Sequence, residues 1–131
     1  MSPDERNRNM WNQINNVSDV TSQPIQYPET KGKPSVQLLN ADPALGPGLV
    51  RIVMRPGDVI ARHYHDGETE TVYILEGVLI DEGTPYAAGT ELNVKPKTHH
   101  GPHETKTGVT FLSMFTGKID PTDFKLSAGV E

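Results

Sequence analysis

Short runs of apolar residues, many of them β-branched or aromatic, recur along this chain and end at glycine or proline. The strongest runs span residues 49–54, 70–75 and 108–116, and weaker ones span 36–40, 77–81 and 86–87. Turn-forming sequences lie between them, for example at 42–48 and 82–85. Short strands at steady spacing with turns between them predict an all-β sandwich or barrel.

The two ends of the chain lack this pattern. Residues 2–5 (Ser-Pro-Asp-Glu) combine a capping serine with a proline suited to the first helical position. A few apolar residues follow near helical spacing, so a short helix and a disordered arm are both open: Met10, Trp11, Ile14 and Val17. Residues 17–34 have no periodicity and are expected to be an extended strap. We divide the chain into an N-terminal arm at 1–35, a barrel at 36–117 and a polar tail at 118–131.

Composition narrows the class of protein. The chain has 131 residues, enough for one domain, and no cysteine, so a metal would need nitrogen and oxygen ligands. The net charge is −5 without a basic cluster, so we do not expect a nucleic-acid partner. No apolar run has membrane-spanning length, and the N-terminus lacks the apolar core of a signal peptide. We therefore expect a cytoplasmic protein without a membrane partner.

The candidate chemistry lies in the histidines, all five of which fall between residues 63 and 103. His63 and His65 are two residues apart, so on a strand both side chains point to the same face. Asp66-Gly67 is a hairpin signal, and Glu70 opens the run that follows it. A hairpin would bring the Glu70 carboxylate back beside the two imidazoles, which predicts a divalent metal site.

A second group of histidines follows at 99–103. His99 and His100 are adjacent, so on an extended backbone they face opposite ways and only one can point into a barrel. His103 would face away from His100 on a regular strand, but Gly101-Pro102 interrupts regularity there. His103 is therefore a candidate catalytic residue, and three roles are open: it could line the pocket, orient a metal ligand through a hydrogen bond, or carry a proton.

One segment resembles the first motif of the cupin superfamily. The pattern Gly-x5-His-x-His-x4-Glu-x6-Gly is filled at every fixed position by Gly57, His63, His65, Glu70 and Gly77. The second cupin motif is matched in part, with Gly89 and His100 eleven residues apart as the pattern requires. Three of its other positions differ: Pro96 comes one residue late, Lys97 replaces a glycine, and Glu104 replaces an asparagine.

The resemblance implies a single-domain jelly-roll barrel with one metal ion inside it. The ligands it implies are His63, His65, Glu70 and His100. The chain is most similar to the small cupins that include acetylacetone dioxygenase, dihydroxyacetophenone dioxygenase and the metal-binding domain of ChrR-type anti-sigma factors. The likeness covers about residues 36–117.

The function expected on this basis is that of a mononuclear non-haem dioxygenase acting on a small enolisable carbonyl compound, either a diketone or a hydroxyketone. Fe²⁺ is the preferred metal. Zn²⁺, Ni²⁺ and Mn²⁺ remain alternatives, because the same ligands can bind all four ions. The alternative functions are a cyclase or isomerase of a polyketide-like substrate and a non-catalytic metal or small-molecule binding cupin. We also expect a homodimer in which the segment before Val36 takes part.

Overall fold

The computed structural model describes residues 11–117 and 119–127, and nearly all of the regular structure there is β-strand. A single 3-10 turn, Val17–Asp19, precedes the strands. The strands in chain order are β1 (Ser22–Pro24), β2 (Ser35–Asn40), β3 (Gly48–Met54), β4 (Val59–Ile60), β5 (His63–Tyr64), β6 (Glu70–Asp81), β7 (Thr84–Ala87), β8 (Glu91–Val94), β9 (His103–Glu104), β10 (Val109–Phe115) and β11 (Lys125–Leu126). The all-β prediction is confirmed.

The strands form one large curled antiparallel sheet and one small sheet. The large sheet has the order β1-β2-β3-β10-β6-β9-β4, with β7 and β8 also paired to β6. The small sheet pairs β11 with β5. Strand β6 holds the large sheet together, because its first half pairs with β10 and β8 while its second half pairs with β7 and β9.

Strand β6 passes through Gly77 without ending, whereas the sequence pattern suggested two separate strands there. Gly77 has a φ of 78°, and a Cβ at this position would overlap the carbonyl oxygen of Gly108. The pairing with β10 shifts register between Thr110 and Phe111, which leaves Leu75, two residues before Gly77, without a partner in the register. Glycine therefore bends the strand at a close backbone crossing, and the bend lets one strand serve both halves of the sheet.

The core lies inside the curl of the sheet. In β3, buried and partly buried residues alternate along the whole strand, as period-two packing requires. Met54, Ile74, Leu79 and Phe111 are each at most 2% exposed and form the centre of the core. The apolar runs at 49–54 and 108–116 therefore contribute the two adjacent strands β3 and β10 that form one wall.

Described segments on both sides of the barrel sequence pack onto the barrel. On the N-terminal side, β1 pairs with β2, and the Gln37 side-chain amide donates to the carbonyls of Val17 and Val20. On the C-terminal side, β11 pairs with β5, so part of the polar tail forms a strand. The predicted N-terminal helix falls mainly on residues 1–10, which lie outside the described residues, and residues 11–16 are not helical.

No helix in the described part of the chain is both long enough and apolar enough to cross a membrane.

Candidate metal centre

The structure brings His63, His65, Glu70 and His100 together at one end of the barrel interior. One potential ligand atom from each of the four lies within 4.8 Å of the others. His63 is in β5, His65 follows it, Glu70 is the first residue of β6, and His100 forms an isolated bridge with His63. The first three are buried and His100 is half-buried. The residues predicted to share a metal are thus neighbours in space, and metal ligation by them stays a prediction.

Backbone carbonyls select the tautomer of all three histidines. Nδ1 of His63 lies 2.7 Å from the carbonyl oxygen of Ala61, and Nδ1 of His100 lies 3.1 Å from that of Thr98. Nδ1 of His65 contacts the carbonyl oxygen of Asp123. A carbonyl can only accept, so each Nδ1 carries the proton and each Nε2 presents a lone pair. Orientation of a ligating imidazole by a hydrogen bond at its other nitrogen is the usual arrangement in metal sites.

The atoms facing the centre of the cluster fit a divalent metal. Nε2 of His65 and Nε2 of His100 each lie 3.3 Å from Oε1 of Glu70, and all three atoms are buried without a hydrogen-bond partner. Ligands bound at about 2.0–2.1 Å to one zinc ion have neighbouring atoms separated by roughly 3.0–3.4 Å. Unpartnered buried polar atoms are costly, and one cation would satisfy all of them at once.

The electrostatics of the cluster favour a neutral His63 and an ionised Glu70, whereas His65 binds its proton more tightly than a free imidazole does. Burial, together with the neighbouring His100 and His103, lowers the pKa of His63 to about 3, so its imidazole is neutral near pH 7. Burial alone would raise the pKa of Glu70, but His100 and His65 outweigh it and hold that pKa well below its usual range. For His65, burial lowers the pKa, and the contact with Glu70 reverses the direction and raises it. Glu70 is therefore a carboxylate with an anionic oxygen aimed at the histidines.

The connection between His65 and Glu70 is not the paired hairpin predicted from Asp66-Gly67. Strand β5 pairs with β11 and not with β6, because the C-terminal segment occupies that edge. The side chain of Asp123 accepts hydrogen bonds from the backbone N–H groups of Asp66 (2.7 Å) and Gly67 (3.0 Å). The loop is shaped by a side chain from the far end of the chain, and this brings Glu70 back to the histidines without strand pairing.

Phe124, next to Asp123, packs against the histidine cluster on another side. Its ring stacks on His63 with a centroid distance of 4.1 Å and an interplanar angle of 21°. Sequence reasoning missed both residues, since the tail looked polar. The one signal available was Phe124 itself, the single aromatic residue after position 117.

The remaining histidines have separate environments. His99 points away from the centre, with Nδ1 2.6 Å from the Ser127 hydroxyl and its ring 4.4 Å from that of Tyr64. His103 is buried beside the cluster, with its ring centroid 5.4 Å from that of His63 and Nδ1 3.4 Å from Oδ1 of Asp81. Although burial raises the pKa of Asp81, His103 outweighs this effect and lowers it, so Asp81 is an anionic partner for His103.

A cavity of about 700 Å³ opens next to the cluster. His63, His65, Glu70 and His103 lie along one part of its wall. The rest of the wall is mostly apolar and comes from the strap, β3 and β10, including Ile25, Val50, Ile52, Phe111 and Phe115. Its volume falls in the range of pockets that enclose drug-sized ligands, about 300–1,000 Å³.

The fold agrees with the comparison to known families. The profile of the ChrR cupin-like domain matches residues 18–120, which is more than half of the chain. The chain belongs to this cupin family. The recognition of a cupin from its first motif is therefore confirmed, and the curled antiparallel sheet described above is a cupin barrel. A comparison with curated proteins gives no match.

Solved structures of other cupins superpose on this one over most of its length. A Thermotoga maritima protein described as a predicted oxalate decarboxylase is 26% identical, with a TM-score of 0.69, covering 79% of this chain and 98% of its own. The acetylacetone dioxygenase from Acinetobacter johnsonii is 20% identical, with a TM-score of 0.67 and coverages of 85% and 80%. The polyketide cyclase RemF from Streptomyces resistomycificus is 17% identical, with a TM-score of 0.68 and coverages of 87% and 84%. The fold is thus shared by cupins described with different activities.

Proposed function

We propose that this cupin is a metal-dependent enzyme, a mononuclear non-haem dioxygenase acting on an enolisable carbonyl compound of the diketone or hydroxyketone class. The observation that carries the proposal is the set of three histidines and one carboxylate oxygen that converge beside a largely apolar cavity. Four protein ligands leave one or two positions of a five- or six-coordinate ion for other molecules, as in catalytic metal sites. Fe²⁺ is the metal proposed, with Zn²⁺, Ni²⁺ and Mn²⁺ as alternatives.

Residues of this chain would hold the metal ion, balance part of its charge and transfer a proton. When bound, iron(II) would act as a Lewis acid toward carbonyl oxygens and react with O₂ through its open positions. His63, His65 and His100 are held in the ligating tautomer by carbonyls, so little reorganisation is needed. Glu70 adds one negative charge, which offsets part of the charge of the ion.

His103 is placed to handle a proton. It is buried, it lines the cavity, and its Nδ1 faces Asp81. Its other ring nitrogen has no hydrogen-bond partner among the described residues. Removing a proton from the carbon between two carbonyl groups requires a base of this kind next to the substrate.

The acetylacetone dioxygenase from Acinetobacter johnsonii has the same fold, and this likeness is the support that the comparisons give to a dioxygenase function.

The test begins with metal analysis of the isolated protein. Metal-free protein reloaded with Fe²⁺, Zn²⁺, Ni²⁺ or Mn²⁺ is then assayed for O₂ consumption with a panel of β-dicarbonyl compounds. We expect Fe²⁺ to restore O₂ uptake and Zn²⁺ not to restore it.

A cyclase or isomerase of a polyketide-like substrate is the second candidate, and the size of the cavity favours it. A space of about 700 Å³ exceeds what a small diketone needs. Equal turnover with Zn²⁺ under anaerobic conditions would replace the dioxygenase proposal with this one. Ligand binding without turnover for any of the four metals would instead indicate a non-catalytic binding cupin.

A further inference from the structure

The strap contributes one aromatic residue, Tyr27, to the surroundings of the metal centre. Its ring stacks on Phe124 with a centroid distance of 4.2 Å and an interplanar angle of 9°. Phe124 in turn stacks on His63, so three nearly parallel rings run from the centre to the strap. Stacked rings of this kind are held in position by their neighbours. Tyr27 is therefore fixed relative to His63, although the two residues come from different segments.

The hydroxyl of Tyr27 has no hydrogen-bond partner among the residues that the structure describes. Tyr27 is half-buried and lines the cavity that His63, His65 and Glu70 also line. Within residues 11–117 and 119–127 its hydroxyl forms no hydrogen bond. Burial, aided by the nearby Glu70 carboxylate, raises the pKa of Tyr27 above its ordinary value of 10.0. The phenol consequently keeps its proton near pH 7 and is a donor.

The composition of the rest of the cavity wall indicates the polarity and size of a ligand that could reach the Tyr27 hydroxyl. Aliphatic and aromatic side chains form most of the wall, and its polar side chains lie both at the metal end and on the strap, where Thr21, Gln23 and Gln26 line the cavity. Pockets of this composition bind molecules with a large apolar body and a few polar atoms. A two-carbon or three-carbon substituent would leave most of about 700 Å³ unfilled.

We propose that Tyr27 donates a hydrogen bond to an oxygen of a ring-bearing apolar carbonyl ligand whose oxygens face the metal cluster. The proposal rests on the proposed function and narrows its substrate class from small diketones to larger, aryl-substituted ones. Tyr27 binds and selects the ligand, and it takes no part in holding the metal.

The test measures binding to Zn²⁺-loaded protein by calorimetry, with 1-phenylbutane-1,3-dione and acetylacetone as probes. The wild-type protein should bind the phenyl compound at least about tenfold more tightly, because burying a phenyl group is favourable. Tyr27→Phe keeps the stacked ring and removes only the hydroxyl. It should weaken binding of the phenyl compound about tenfold, equivalent to about 1.4 kcal/mol.

Two controls separate the hydroxyl from other effects. Zn²⁺ affinity and thermal stability of Tyr27→Phe should equal those of the wild type, since no metal ligand is changed. Tyr73→Phe removes a hydroxyl from a side chain that is 42% exposed, and it should leave both probes unaffected. Metal content measured after each titration shows whether the diketone has extracted the ion.

Three results are informative. Equal binding of the phenyl compound by wild type and Tyr27→Phe would overturn the role of Tyr27. Tighter binding of acetylacetone than of the phenyl compound would overturn the substrate class. Failure of the metal-loaded wild type to bind either diketone would instead count against the proposed function itself, so the two proposals fail in distinguishable ways.

Discussion

Side chains at the candidate metal centre are expected to have different roles, and single substitutions should distinguish these roles. His63→Ala and His65→Ala each remove one Nε2 from the cluster while leaving the apolar core unchanged. We expect each variant to lose stoichiometric metal and to keep the β-sheet circular dichroism spectrum of the wild type. Metal analysis after gel filtration checks the first point. Full occupancy in the double variant would refute metal binding at this cluster.

The downstream histidines give a second residue-level prediction. His100→Ala should lose most of the metal affinity, because its Nε2 lies 3.3 Å from Oε1 of Glu70. His103→Ala should keep the metal and lower turnover by about 10²–10⁴, the usual contribution of a general acid or base. His99→Ala should change neither, since its ring faces Ser127 and Tyr64. Metal release by His103→Ala with retention by His100→Ala would show that the two roles are reversed.

At the scale of elements, the C-terminal segment positions the loop between His65 and Glu70. Asp123→Ala removes the acceptor for the N–H groups of Asp66 and Gly67. Loss of partners that orient metal ligands commonly weakens metal affinity about 10- to 100-fold. We expect a weakening in that range when Zn²⁺ affinity is measured by competition with a chelator.

Asp66→Ala is the matched control for this variant. It also removes one negative charge beside the metal cluster, this time from the loop itself, but its carboxylate is 4.0 Å from Nζ of Lys125 and is about half exposed. It should leave Zn²⁺ affinity within about twofold of the wild type, because exposed ion pairs contribute little. Equal losses in Asp66→Ala and Asp123→Ala would indicate a general charge effect.

The bend in β6 gives a prediction about stability. Gly77→Ala places a Cβ against the Gly108 carbonyl and forces a non-glycine residue to a φ of 78°. Gly83→Ala imposes a similar φ of 83° with no atom within 4 Å of the new Cβ. Left-handed backbone alone costs about 1–3 kcal/mol. In urea unfolding, Gly83→Ala should stay in that range, and Gly77→Ala should cost at least about 2 kcal/mol more.

At the scale of the whole molecule, the exposed apolar residues point to association. Trp11 and Ile14 are each 60% exposed, Leu38 is 49% exposed, and Val17 is 40% exposed. They belong to the segment before Val36 or to β2, so we expect a homodimer in which this segment makes contact. Sedimentation at micromolar concentration should give a mass near twice 14.4 kDa. A monomer, with residues 11–35 packed only on their own barrel, would contradict this expectation.

Features of the fold and site that depend on nearby residues were predictable, and those that depend on distant ones were not. The period-two runs of β3 and β10 and the His63-x-His65 spacing are local, so they gave the barrel and most of the candidate cluster. The contact between His65 and Asp123 joins residues 58 positions apart, and no local pattern reports it. Gly77 was interpreted as the end of a strand because glycine usually interrupts strands. Tyr27 was missed because its segment has no periodicity.

The pairing of Ser22–Pro24 along β2 also bears on solubility. Without that pairing, β2 would present a row of free N–H and C=O groups at the border of the large sheet, next to the exposed Leu38. Uncovered flat borders of this kind recruit strands from other molecules and initiate aggregation. Strand β1 ends in Pro24, which has no N–H to donate, and its three residues are all exposed. The short strand β1 thus covers the backbone edge of the longer strand β2. A chain that lacks residues 1–34 should aggregate and scatter light at concentrations at which the full chain remains clear.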